Sequence, residues 1–100
     1  MPLQTSPEAP SRKIRIEQRL TALFSPQRLE VIDESAAHAG HAGAVGGESH
    51  FRVRMVAAQF AEKTRIARHR MIHDALAPIF ADGLHALAIE AAAPGEPARW

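Results

Sequence analysis

Histidine is the residue type whose number and spacing most invite chemistry in this sequence. Six occur in 100 residues, at positions 38, 41, 50, 69, 73 and 85, and there is no cysteine. Neutral imidazole binds borderline metals through one ring nitrogen and titrates close to neutrality. His38 and His41 stand in a Gly- and Ala-rich stretch, where a pliant backbone can present a ring to a metal ion. His69 and His73 are four residues apart, a spacing that lets two rings on one helical face grip zinc, but the segment reads His-Arg-Met-Ile-His and lacks the glutamate of the HExxH pattern. Each of these, and His50 at the head of a strand, taken singly reads as a surface or hydrogen-bonding residue. The missing thiols exclude disulfides, thiol catalysis and any zinc or iron–sulfur site built from this chain's own thiolates.

Other catalytic patterns are weak. Ser35 and Ser49 have no GxSxG setting. Asp33 and Glu34 are adjacent, so on a strand they face opposite ways and form no carboxylate pair. Neither a P-loop nor GxGxxG is present. Gly40-His41-Ala42-Gly43 matches the GxxG clamp of RNA-binding KH domains, but it lies between two strands, whereas that clamp lies between helices.

Charge is segregated along the chain. Between Leu29 and Ser49 stand Glu30, Asp33, Glu34 and Glu48 with no Lys or Arg, while His50 to His73 holds Arg52, Arg54, Lys63, Arg65, Arg68 and Arg70 against Glu62 alone. Those bases on a strand and the start of a helix suit phosphates; the competing reading is a solvated polar face, because the formal net charge is only +1.

The elements that position these residues follow from periodicity. Residues 1–10, with three Pro, read as a disordered leader, and Ser11 caps a helix over 12–24 whose apolar positions are Ile16, Leu20, Leu23 and Phe24. Ser25-Pro26 stops it. Strands are expected over 28–34 and, with clean alternation of Phe51, Val53 and Met55, over 50–57, joined by a surface loop from Ser35 to Ser49. Thr64 caps a second helix over about 65–80, carried by Ile72, Ala75, Leu76 and Ile79 and kinked or tightened by Pro78. Asp82-Gly83 ends it, residues 84–91 supply a third strand, and 94–100 should fray as a flexible tail. The order helix, strand, strand, helix, strand predicts one α+β domain over 11–93, a three-stranded sheet with helices on one face.

Composition sets the bounds. Apolar residues make up 46%, but 20 of the 100 residues are Ala, so the core rests on few large side chains. No apolar run reaches a membrane span and Met1 to Pro10 lacks a secretory pattern, so a cytoplasmic protein with no membrane partner is expected.

Several blocks taken together resemble the BolA family: Asp33-Glu34-Ser35, the His/Gly loop, Glu48-Ser49-His50-Phe51-Arg52-Val53, Arg68-His69-Arg70 and His85-Ala86-Leu87, in order across residues 12–94. The resemblance implies an α/β sandwich akin to the type II KH domain without its GxxG clamp, and no enzyme activity. It implies a monothiol glutaredoxin as partner, in a heterodimer sharing a [2Fe-2S] cluster with glutathione; alone the chain would be a monomer or weak homodimer without cofactor. His85 would be one ligand, and a loop His the other, His38 by alignment or His41 close by. Imidazole in place of thiolate should raise the cluster's potential, as in Rieske centres, and protonation should release the cluster as pH falls toward about 6. The resemblance also implies a second role, a DNA-binding regulator of stress response and cell shape using Arg52, Arg54, Lys63, Arg65, Arg68 and Arg70. Two departures from the family stand out, Pro78 in the long helix and the absence of Gly in Phe60-Ala61-Glu62-Lys63 after the second strand.

Overall fold

The computed structural model describes residues 11–34, 49–98 and 100. Helix α1 spans Arg12–Phe24 and buries Ile16, Leu20 and Phe24, which recur every four residues. The hydroxyl of Ser11 accepts the Ile14 N–H at 3.2 Å and so satisfies an orphan donor of the first turn. Leu23 differs from expectation: it stays 51% exposed, one step off the buried stripe. Strand β1 (Arg28–Asp33) pairs antiparallel with β2 (His50–Val56), and β2 pairs parallel with β3 (Ala86–Ala92), giving the order β1-β2-β3.

The helices cover one face of this mixed sheet. Inward from β2 point Phe51, Val53 and Met55, all essentially inaccessible, against Ile16, Leu20, Ile72 and Leu76. Side chains of this size contribute about 1.5–3 kcal/mol each when fully buried. After β2 a short 3-10 turn, Ala58–Phe60, lays the Phe60 ring 5.5 Å from that of Phe24. Glu62 then adopts φ +63°, the left-handed conformation that glycine takes at less cost, at the turn where the expected Gly is missing.

The expected single helix over 65–80 is two helices, α2 (Arg65–Ala75) and α3 (Ala77–Ala81). Thr64 caps α2 by accepting the Ala67 N–H at 3.0 Å, as its position suggested. The break falls at Leu76 (φ −100°, ψ 9°), two residues before Pro78. Proline disfavours helical geometry at the preceding residue and crowds the carbonyl four back, so its effect reaches toward the N-terminus. Arg19 donates to the Ala75 carbonyl at the end of α2, and Arg12 to that of Asp82 at 2.9 Å, so α1 supplies cations to both helix ends.

The third strand begins at residue 86, not 84. Leu84 closes α3 instead: its N–H donates to the Ile79 carbonyl at 3.1 Å, and the Gly83 N–H to that of Phe80 at 3.2 Å. With Gly83 at φ +116° and both Leu84 and Ile79 buried, this is a Schellman ending with its apolar contact. At the far end, in the segment read as a tail, Glu96 is held by the two terminal guanidinium nitrogens of Arg68 at 2.6 and 2.8 Å and accepts the Ala93 N–H at 3.0 Å.

Candidate functional site

His85 sits between two anchored residues. Leu84 is locked into the core and Ala86 opens β3, while the N–H groups of His85 and Ala86 both donate to the Ser49 carbonyl, at 2.8 and 3.0 Å. The backbone is thereby fixed and the residue itself is exposed. Its ring lies 5.4 Å, centroid to centroid, from that of His50, whose Nδ1 is 2.9 Å from the Ser49 hydroxyl. On the other side, the Glu34 N–H donates to the His50 carbonyl at 2.7 Å. Glu34 and Ser49 flank the segment 35–48: Ser49 bonds His85 directly, and Glu34 bonds its neighbour His50 at the same end of the sheet. His38 and His41 lie outside the described residues.

The six bases expected to act together are divided. Arg52 and Arg54 project from the sheet face that carries no helix among the described residues, where Arg52 meets Glu34 at 2.8 Å and Glu90 at 3.2 Å, and Arg54 meets Glu90 at 2.6 Å. Glu30 and Arg28 extend this lattice at 3.6–3.8 Å. The two carboxylates raise the pKa of Arg52 above its ordinary value, chiefly through the hydrogen bond to Glu34. Lys63, Arg65 and Arg68 instead line a cleft of about 520 Å³ beside β3, with His69 and Trp100, over Ile89 and Ala91. Arg68 is committed to Glu96, and Arg70 is exposed on α2. Burial lowers the pKa of His69, helped by the charges of Arg65 and His73. The His73 ring stacks on Phe80 at 5.0 Å.

Among the described residues, no group of three or more His, Asp or Glu converges as a metal-binding set, and no helix is long and apolar enough to cross a membrane. What sequence reasoning missed is the nearness of His50 to His85 and the Arg/Glu lattice. Both join residues remote in the chain, and only the pairing of strands brings them together.

The BolA-like protein family matches residues 20–96. The chain belongs to the BolA family. It is 56% identical over 87 residues to an uncharacterised protein in the region 5′ of cobS in Sinorhizobium sp, covering 85% of this chain and 94% of that one. It is 45% identical over 75 residues to the DNA-binding transcriptional regulator BolA of Escherichia coli K12, covering 75% of this chain and 69% of that one. The BolA domain of SufE1 from Arabidopsis thaliana superposes with a TM-score of 0.80 at 42% identity, over 90% of this chain and all of that domain. The full SufE-like protein 1 is matched over only 24% of its length. That domain and the solution structure of BolA1 from Mus musculus, which superposes with a TM-score of 0.71 at 37% identity over 94% of this chain and 74% of that one, share the observed arrangement of helices and mixed sheet. The family is one of regulatory and partner proteins, and no catalytic family is indicated.

Proposed function

We propose that this BolA-family chain pairs with a monothiol glutaredoxin and, with it and glutathione, shares a [2Fe-2S] cluster for cluster trafficking or iron regulation. The observation that supports this reading most is the placement of His85: exposed, held by the hydrogen bonds that its own N–H and that of Ala86 donate to the Ser49 carbonyl, and so beside the residue that follows the segment carrying His38 and His41. A [2Fe-2S] cluster needs four terminal ligands. A chain without Cys offers imidazoles alone, so it fits half of such a site and the partner must supply sulfur. The cluster would bring iron, sulfide and one-electron chemistry; the chain would present His85 from a backbone held by the Ser49 carbonyl and add a loop imidazole.

Anaerobic co-purification with a monothiol glutaredoxin and glutathione, followed by iron and sulfide analysis, tests this. We expect two iron and two sulfide per heterodimer, and loss of most of both with His85→Ala. His38→Ala and His41→Ala identify the loop ligand. Unchanged cluster content in His85→Ala would overturn the assignment.

A second reading, DNA binding, draws on the Escherichia coli relative and on the cleft lined by Lys63, Arg65 and Arg68. Binding through that cleft should weaken steeply with salt and be lost with Lys63→Gln/Arg65→Gln, while Arg52→Gln leaves it nearly intact, because Arg52 already faces two carboxylates.

A further inference from the structure

Cluster sharing engages His85 together with a loop histidine and leaves His50 without a role. Yet His50 is the imidazole that the described structure places against His85. The two stand where a parallel pair begins: His50 heads β2 and lies opposite Ala86, the first residue of β3, which His85 immediately precedes. Ser49 serves both, its carbonyl accepting the N–H groups of His85 and Ala86 and its hydroxyl lying 2.9 Å from Nδ1 of His50.

Metal geometry gives this pair a meaning. With Zn–N bonds of about 2.05 Å, ring centres about 1.15 Å beyond the bonded nitrogen and a tetrahedral angle at the metal, two imidazoles on one zinc ion have centroids about 5.2 Å apart. Those of His50 and His85 are 5.4 Å apart, with the planes inclined at 47°. The backbones that carry them are held by the β2–β3 ladder and by the Ser49 carbonyl, so a chelate would form by turning the two side chains and not by moving the strands. In the tautomer where Nδ1–H of His50 donates to the Ser49 hydroxyl, Nε2 carries the lone pair. A hydrogen bond from the far ring nitrogen is what orients metal-bound histidines generally.

We propose that His50 and His85 form a two-imidazole chelate for one borderline-soft divalent metal ion, with zinc as the probe ion. The chain supplies two donors, and water or a partner completes the tetrahedron. Oxygen-loving Mg²⁺ and Ca²⁺ are poor competitors for such a donor set. The other spaced pair, His69 and His73, is less suited to a cation: the Arg65 charge acts on His69, and the His73 ring is stacked on Phe80. The chelate stands on geometry alone and does not require that a cluster be shared. One consequence does rest on that reading: a zinc-bound His85 cannot serve iron, so zinc would oppose cluster sharing.

The test is zinc titration of the full chain without glutaredoxin, followed by imidazole-resolved ¹H–¹⁵N NMR of all six histidines. We expect the His50 and His85 signals to move together, first among the six and at one equivalent of zinc. His50→Gln and His85→Gln should each weaken zinc binding at the remaining ring about 10²-fold, the usual order of gain from tethering two sites. Backbone spectra confirm that each variant is folded, and exposed His85 is the substitution least able to disturb the core. Zinc taken first by His69 and His73, His85 moving with His38 or His41 while His50 stays still, or affinity unchanged in His85→Gln would each overturn the proposal. None of these outcomes depends on whether a glutaredoxin binds.

Discussion

The two ends of the parallel β2–β3 pair solve different problems. At the end where both strands begin, position is set by backbone: the Schellman closure of α3, the Ser49 carbonyl and the first rungs of the ladder fix His50 and His85. At the end where both strands finish, position is set by charge: Arg68 holds Glu96, and Lys63 and Arg65 stand beside them around the cleft. Backbone hydrogen bonds respond weakly to salt and pH, whereas exposed ion pairs respond to both. The contrast shows that an exposed histidine can be positioned by backbone at one end while the other end remains an adjustable electrostatic surface.

Substitutions at the backbone-set end should cost most. Leu84→Ala removes the buried residue that closes α3, and we expect a loss of about 2–5 kcal/mol in urea unfolding, with faster amide exchange at His85 and Ala86. Exchange at those two amides no faster than in the parent would break the link between helix closure and the placement of His85. Gly83→Ala comes next, at about 1–3 kcal/mol, because φ +116° strains any residue with a Cβ. The added methyl would also come within 2.9 Å of the Arg12 guanidinium, which can swing aside. At the charge-set end, Glu62→Gly should stabilise by less than about 1 kcal/mol by relieving the left-handed conformation, visible as a higher Tm.

The smallest effect at neutral pH, and the sharpest in its pH dependence, concerns Glu96. Its carboxyl is pulled from 4.5 to about 2 by the Arg68 hydrogen bonds and then by the Ala93 N–H. A depressed acid contributes stability that is present above pH 4.5 and fades as pH falls toward 2. Glu96→Gln should flatten that part of the acid-unfolding profile and leave the His50 and His85 signals unmoved. A shift at those histidines would mean that the two ends are coupled.

Much of the scaffold is legible in the residues. Ser11 and Thr64 announce their helices because a side-chain cap is a local interaction, and the alternation of Phe51, Val53 and Met55 reports a face whose period is two. Leu84 misleads because an apolar residue before a strand looks the same whether it begins the strand or closes the preceding helix. Pro78 marks a disturbance correctly but not its place, since its steric effect acts on residues before it. The charge blocks read as separate, an acidic run and a basic run, become partners because the β1–β2 hairpin folds one back upon the other and sets Glu30 opposite Arg54. Of the candidate site, His85 was legible through its family resemblance, whereas the approach of His50, 35 positions earlier, depends on a crossover that no local pattern encodes.

The sheet face with no helix among the described residues, with its interlocked arginines and glutamates, carries a last consequence. A surface that neutralises itself needs neither a second layer of helices nor a fixed neighbour to be at ease in water. A unit finished in this way can be spliced beside an unrelated polypeptide without a new seam, in keeping with its occupying a quarter of a much longer plant relative.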